Sequence, residues 1–166
     1  IVLGRGGQRC RQDREIEMTE NTAERTIILA LRLSLAWVFL YAASHQVFVA
    51  NWSIAGFLNS TKTFHDLFAL FTGPVVAPVV SFLVAYGHLL IGLSLLTGLL
   101  VRVSSAFGIA LMLLYWMAHM DYPYISNTNN YLMDEHIIYA LVLGLLIATR
   151  AGHFFGLDEW ASRQPG

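Results

Sequence analysis

The stretch that decides the fold reads Tyr86-Gly-His-Leu-Leu-Ile-Gly-Leu-Ser-Leu-Leu-Thr-Gly-Leu-Leu-Val-Arg102. It lies inside a run from Val79 to Val101 that contains no Asp, Glu, Lys or Arg. About 20 such residues are enough for a helix to cross the hydrocarbon core of a bilayer. The stretch therefore predicts a transmembrane helix with one ionisable residue, His88, near its middle and Arg102 at its end.

The composition of the whole chain agrees with a membrane protein. Of its 166 residues, 56% are hydrophobic and 13% are charged, whereas soluble domains have roughly 25% charged residues. The net charge of -1 at pH 7 leaves no basic stripe that would neutralise phosphates, which argues against nucleic acid as a partner. The chain also lacks the P-loop, the nucleophile elbow and the dinucleotide-binding glycine motif. These features indicate one small integral membrane domain that contacts lipid.

The distribution of polar residues divides the chain into three parts. Residues 1–25 form a polar N-terminal extension, residues 26–150 form the membrane domain, and residues 151–166 form a C-terminal tail. Met18 is the first methionine, and we expect the natural chain to start there.

The membrane domain is predicted to be all-α, an integral membrane four-helix bundle. Its helices are expected at 26–49, 79–101, 103–120 and 131–149, with a loop at 121–130. The segment 51–73 interleaves aromatic and polar residues, which is typical of a short amphipathic helix or a loop in the membrane interface, and we expect a short interfacial helix there. Arg32 lies near the start of helix one, from where it is expected to reach the headgroups.

The basic residues predict the orientation of the bundle. With the N-terminus in the cytoplasm, nine of the ten Lys and Arg residues lie inside and only Lys62 lies outside. This follows the positive-inside rule. Both termini are therefore expected to be cytoplasmic, in the plasma membrane of a bacterium or an archaeon.

Each predicted helix carries one histidine. In chain order these histidines are His45, His88, His119 and His136. Counted from the nearest cytoplasmic arginine at 1.5 Å per residue, all four lie at heights of roughly 20 to 25 Å. On each helix the histidine also shares a stripe with small residues, which predicts that it faces the bundle interior. On helix one this stripe is Ala30, Ser34, Tyr41 and His45. On helix two it is Ser81, Ala85, His88 and Gly92.

An ionisable residue at membrane depth suggests a functional site, because leaving it without a partner there is costly. The histidine layer is therefore predicted to bind a cofactor through His45, His88, His119 and His136. One possibility is a haem or a metal held by neutral imidazoles, the metal being unknown. The other is a quinone headgroup, with His88 and His136 as catalytic groups and Asp134 or Glu135 exchanging protons with them.

Three parts of the sequence together resemble the DoxX/DoxD family of small four-helix membrane proteins. They are the helix-one pattern around Arg32, the stretch from Gly92 to Gly98 followed by Arg102, and the closing segment from Arg150 to Trp160. The resemblance implies a bundle associated with membrane redox chemistry, since the family includes the membrane subunit of thiosulfate:quinone oxidoreductase. His88 stands where the family usually has an acidic residue, and His153 where it usually has Arg or Lys.

These observations leave three functional hypotheses. The first is a membrane redox subunit that interacts with quinone and a partner oxidoreductase. The second is a haem- or metal-binding electron carrier. The third is a non-catalytic accessory subunit of a larger membrane complex, in which the histidines are only structural.

Overall fold

The computed structural model describes residues 4–153 and 156–158, and the side chains of residue 22 onwards within those ranges. The predictions for residues 1–3 and for the last part of the tail, including Trp160, lie outside the described residues. In the described part, the chain forms six α-helices, three short strands and one turn of 3-10 helix. In chain order these are α1 (Gly4–Val47), α2 (Ala55–Asn59), α3 (His65–Ala69), α4 (Val76–Thr97), α5 (Val101–Ala118), β1 (Met120–Asp121), β2 (Tyr124–Ile125), β3 (Asn127–Tyr131), α6 (Glu135–Ala148) and the 3-10 turn (Ala151–His153).

Within the described residues, three helices are long and apolar enough to cross a membrane. They are the Thr22–Val47 part of α1, the whole of α4 and the whole of α5. This agrees with the predicted helices one to three, although α1 continues back through the polar segment to Gly4 without a break. The prediction of an integral membrane protein is thus supported by length and hydropathy.

The fourth predicted helix is shorter than expected. It begins at Glu135 rather than Tyr131, because Asp134 is its N-cap and the residues up to Tyr131 belong to strand β3. Fourteen residues at 1.5 Å each span about 21 Å, less than the roughly 30 Å of a hydrocarbon core. That α6 crosses the membrane therefore stays a prediction.

Two helix pairs form the bundle, since α1 packs mainly against α4 and α5 packs mainly against α6. Gly92 allows the first pair to approach closely, because a Cβ atom there would lie 2.7 Å from Cγ of Leu40. The core shared by the helices includes Phe39, Leu95 and Leu143, which are at most 1% exposed. Many large apolar side chains on the outside of the bundle are exposed, as expected for a surface that faces lipid.

Arg32 lies inside the bundle, and the prediction that it reaches the headgroups was wrong. It is only 2% exposed, and its Nη1 donates a hydrogen bond of 2.7 Å to the carbonyl of Ala151. Because α1 begins at Gly4, Arg32 is well within the helix and not in its first turn. The buried guanidinium therefore joins the first helix to the 3-10 turn after α6.

The turn between α4 and α5 is held by the tail of the chain. Gly98 ends α4 in the left-handed conformation, with φ of 71°, and its carbonyl accepts a hydrogen bond of 3.0 Å from the N–H of Asp158. The Asp158 carboxylate in turn accepts hydrogen bonds from the backbone N–H groups of Leu100 at 2.7 Å and Val101 at 3.3 Å. The tail thus caps the first turn of α5, where four N–H groups otherwise have no partner.

The opposite end of the bundle contains more regular structure than predicted. The segment 51–73 forms the two short helices α2 and α3 rather than one, and their place in the membrane interface stays a prediction. The segment 121–130, expected to be a loop, lies largely in an antiparallel sheet with the order β1-β2-β3. Lys62 forms an ion pair with Asp121, which links the segment before α3 to this sheet.

Candidate functional site

Three of the four predicted histidines meet at one cavity. The cavity has a volume of about 280 Å³ and lies between α1, α4, α5 and α6. Its polar lining consists of His88, Tyr115, His119, His136, Tyr139, Gln46 and Glu135, and its apolar lining of Val38, Phe39, Ala42 and Met112. The expectation that His88, His119 and His136 point into the bundle agrees with this geometry.

Tyr115 lies at the centre of the histidine cluster. Its ring centroid is 5.6 Å from that of His88, 6.1 Å from that of His119 and 5.7 Å from that of His136. The rings of His119 and His136 also stack on each other, with centroids 5.0 Å apart and planes 25° apart. The four rings therefore pack as one group that joins α4, α5 and α6.

The hydrogen bonds of His88 and His119 fix which ring nitrogen carries the proton. Nδ1 of His88 lies 2.8 Å from the carbonyl oxygen of Val84, and Nδ1 of His119 lies 2.9 Å from that of Tyr115. Because a carbonyl oxygen only accepts hydrogen bonds, Nδ1 is the protonated nitrogen in both rings. Nε2 of each neutral ring then carries a lone pair, and no described residue donates to it.

Asp134 positions the third histidine. One carboxylate oxygen lies 2.6 Å from Nδ1 of His136, and the other accepts a hydrogen bond of 3.1 Å from the backbone N–H of the same residue. The Asp134 side chain is only 1% exposed, so it faces the ring and not solvent. Glu135 is exposed and lines the cavity. Of the two predicted proton-exchanging acids, Asp134 thus holds His136, and Glu135 lies at the rim.

Three polar side chains at the site, Tyr115, Tyr139 and Gln46, were not predicted as site residues. The Gln46 side chain lies beside Tyr115, and its Oε1 is buried without a hydrogen-bond partner among the described residues. The signal in the sequence was the spacing of four between Tyr115 and His119, which puts both on one helix face.

His45 does not belong to the cluster. It is exposed, its Nδ1 lies 3.0 Å from the carbonyl oxygen of Tyr41, and its ring packs on the Tyr41 ring at 4.5 Å. All four members of the predicted interior stripe of helix one, including Ala30 and Ser34, are at least partly exposed. The prediction for this helix face was wrong, because α1 buries the face that carries Arg32 and Phe39.

A second cavity, of about 170 Å³, adjoins the first. It lies between α2, α3, α4 and α5, and Tyr115 lines both cavities. Apart from Tyr115, its lining is entirely apolar, with Ile54, Phe57, Leu58, Phe68, Phe71, Val80, Val84, Leu111, Leu114 and Ala118. The Phe57 ring lies 4.8 Å from that of His119, so aromatic rings line the boundary at which the two cavities adjoin.

These features define a helical membrane protein with a histidine-lined cavity inside an apolar bundle. The chain belongs to the DoxX family, whose model matches residues 27–120. The matched region contains α1 from residue 27 onwards and the whole of α2 to α5, and therefore His88, Tyr115 and His119, whereas Asp134 and His136 follow it. No curated protein and no solved structure matches the chain significantly.

Proposed function

We propose that this DoxX protein is a membrane redox subunit that binds a quinone headgroup in its histidine-lined cavity and works with a partner oxidoreductase. The observation that carries the proposal is the convergence of His88, His119 and His136, each held through Nδ1, on one cavity within an apolar bundle. Burying three imidazoles there is unfavourable unless they have partners. A ligand with several oxygen atoms that form hydrogen bonds provides such partners.

The residues around the cavity suit proton exchange but not electron storage. Conversion of a quinone to a quinol takes up two electrons and two protons. A side-chain imidazole cannot store an electron, so the partner oxidoreductase supplies or accepts both electrons. Nε2 of His88 and Nε2 of His136 hold or release the protons at the cavity. Glu135, which lies exposed at the rim, exchanges protons with water.

The apolar cavity provides a place for the tail of a lipid-soluble quinone. Its carbon-rich lining adjoins the histidine-lined cavity at Tyr115, so a headgroup and a tail fit side by side. Because lipid tails are as apolar as these side chains, the shape of the cavity, and not removal of the tail from water, determines how well a tail binds there. The two cavities thus account for both ends of the same ligand class.

The haem or metal hypothesis receives less support from the geometry. The rings of His119 and His136 are stacked. Among the described residues, the compact group of possible metal ligands is Asp134, Glu135 and His136, in which Nδ1 of His136 is already bonded to Asp134. The cavity therefore suits a headgroup that forms hydrogen bonds better than it suits a metal centre.

The proposed function also includes an orientation of the bundle in the membrane. We place both termini in the cytoplasm of a bacterium or archaeon, as the distribution of Lys and Arg suggests. The histidine-lined cavity then lies in the outer half of the membrane, because it adjoins the end of α5 and the start of α6, away from the turn at Gly98.

The test is a binding titration on the purified full chain in mild detergent. Decylubiquinone and decylubiquinol are titrated separately while tryptophan fluorescence is recorded, for the natural chain and for His88→Leu. The control is His65→Leu, since His65 is also bonded through Nδ1 to the carbonyl four residues earlier but lies outside both cavities. We expect His88→Leu to weaken binding at least tenfold with unchanged helix content, and His65→Leu to bind as the natural chain does.

Two outcomes contradict the proposal. If neither form binds to the natural chain, the cavity is not a quinone site, and the accessory-subunit hypothesis takes its place. If a visible oxidised-minus-reduced spectrum of the same sample shows a haem band, the electron-carrier hypothesis replaces the quinone proposal.

A further inference from the structure

We infer that the histidine-lined cavity selects the reduced, dihydroxy form of its ligand, a quinol, over the quinone. This inference rests on the proposed function and adds which redox form the site prefers. It follows from the hydrogen-bonding character of the groups that the cavity presents.

The imidazoles present acceptors and not donors. Nδ1–H of His88 and Nδ1–H of His119 donate to backbone carbonyls, and Nδ1–H of His136 donates to the Asp134 carboxylate. A neutral imidazole has one donor and one acceptor. With all three donors already used, the nitrogen left to each ring is the acceptor Nε2.

Two further side chains add acceptors. Oε1 of Gln46 is buried and has no hydrogen-bond partner among the described residues, and the carboxylate of Glu135 lines the same cavity. Three side chains of the lining can donate, namely Tyr115 and Tyr139 through their hydroxyls and Gln46 through its amide nitrogen, against five that can accept. Acceptors therefore outnumber donors around the cavity.

The quinone and the quinol differ in whether they can donate hydrogen bonds to these acceptors. The oxygen atoms of a quinone only accept hydrogen bonds, whereas each hydroxyl of a quinol also donates one. A quinone in the cavity places acceptor against acceptor and leaves buried acceptors without partners, which is costly. A quinol donates to two of these acceptors and can accept from Tyr115.

The experiment compares three ligands of nearly the same shape on the full chain in detergent. They are decylubiquinone, decylubiquinol kept reduced without oxygen, and the dimethyl ether of decylubiquinol, which has no hydroxyl donor. At pH 8, ordinary imidazoles are neutral. We expect the quinol to bind about tenfold more tightly than the quinone, which corresponds to about 1.4 kcal/mol. The ether should bind no better than the quinone.

A substitution of His88 tests whether its Nε2 is one of the acceptors that cause the preference for the quinol. In His88→Gln, the side-chain amide adds an N–H donor to the cavity, so affinity for the quinone should rise relative to that for the quinol. The control His65→Gln should keep the preference of the natural chain. Helix content and elution volume in gel filtration verify that both variants fold.

The remaining outcomes overturn the inference in distinguishable ways. Equal affinities, or tighter binding of the quinone, overturn the preference and leave the proposed function standing. Loss of quinol binding on treatment with a metal chelator overturns it too, because Nε2 atoms that bind a metal are not the acceptors for the hydroxyls. Binding of none of the ligands contradicts both the preference and the proposed function.

Discussion

The Asp134 carboxylate lies 2.6 Å from Nδ1 of His136 and also caps the helix on which that histidine stands. One side chain therefore performs two tasks. Its Oδ1 accepts from a backbone N–H at the start of α6, and its Oδ2 fixes the tautomer of the imidazole. The helix start and the chemistry of the cavity are thus coupled through two neighbouring residues.

Substitution of Asp134 separates these two tasks. Asn is as good an N-cap as Asp, so Asp134→Asn should change the thermal unfolding midpoint little. Its amide offers an N–H group in place of a carboxylate oxygen, which favours the His136 tautomer that carries the proton on Nε2. We expect affinity for decylubiquinol to fall about tenfold, measured by fluorescence titration in detergent.

The companion variant is Asp134→Ala, which removes the cap as well. It should lower the free energy of unfolding by about 0.5 to 2 kcal/mol in addition to weakening binding. If Asp134→Asn binds decylubiquinol as tightly as the natural chain, the carboxylate is needed only as a cap.

The buried Arg32 should contribute more to stability than a surface arginine. Its guanidinium donates to the carbonyl of Ala151, 119 positions later in the chain, and a hydrogen bond that involves a charged group contributes about 1.5 to 3 kcal/mol. We expect Arg32→Met to lower the thermal unfolding midpoint, followed by circular dichroism in detergent, and to release the tail from the turn at Gly98.

Arg102 provides the matched control, because it is an exposed arginine in the first turn of α5. Surface substitutions usually change stability by less than about 0.5 kcal/mol, so Arg102→Met should keep the midpoint of the natural chain. Equal midpoints for the two variants would mean that burial of Arg32 adds nothing to stability.

The fold of α4 was predictable because its signal is local. A run without charged residues sets the helix, and the small-residue stripe of Ser81, Ala85, His88 and Gly92 is buried throughout. Small residues let helices approach in a membrane, and here the approach of α1 at Gly92 confirms the prediction. His88 was therefore correctly placed inside the bundle.

The buried face of α1 was not predictable in the same way. Its small-residue stripe suggested the face of His45, whereas the helix buries the face that carries Arg32. The partner that makes burial of Arg32 possible is a carbonyl 119 positions later in the chain. Only the tertiary structure brings the two together.

The region between α5 and α6 was missed for a different reason. Strand β3 reads Asn-Thr-Asn-Asn-Tyr, which lacks apolar alternation and has three asparagines, a residue type that is depleted in strands. The start of α6, in contrast, carried a readable signal, since Asp134 followed by Glu135 is a common helix N-terminus. Hydropathy alone placed that start four residues too early.

Two glycines should respond in opposite ways to the same substitution. At Gly98, φ is 71°, and a Cβ atom would lie 2.5 Å from Cα of Gly156 and 3.0 Å from Nη1 of Arg32. Alanine there is strained by both backbone and contacts, so Gly98→Ala should lower the unfolding midpoint, and its loss in the free energy of unfolding should exceed about 1 kcal/mol.

Gly144 is the control within α6, because a Cβ atom there would meet nothing within 4 Å. Alanine is favoured over glycine in a helix by about 0.8 to 1.0 kcal/mol, so Gly144→Ala should hold or raise the midpoint. A loss at Gly144 as large as that at Gly98 would mean that a partner subunit packs closely on this face of α6.

The apolar cavity should determine affinity for the tail of the ligand and not for its headgroup. Leu114 lines this cavity and is 50% exposed, so a larger side chain at that position fits without disturbing the core. Leu114→Trp should fill part of the space for the tail. Because the indole ring occupies space that the tail needs, decylubiquinol binding should weaken severalfold. Binding of the corresponding quinol without a tail should not change.

Leu113→Trp is the control, since Leu113 is the neighbouring residue, is 41% exposed and does not line either cavity. It should leave the affinities for both ligands at their natural values, because its side chain faces away from the tail. Competition titrations with the two quinols on both variants measure the four affinities needed. If Leu114→Trp weakens the tail-less quinol as much as decylubiquinol, the substitution acts through Tyr115 on the headgroup, and the tail lies elsewhere on the bundle.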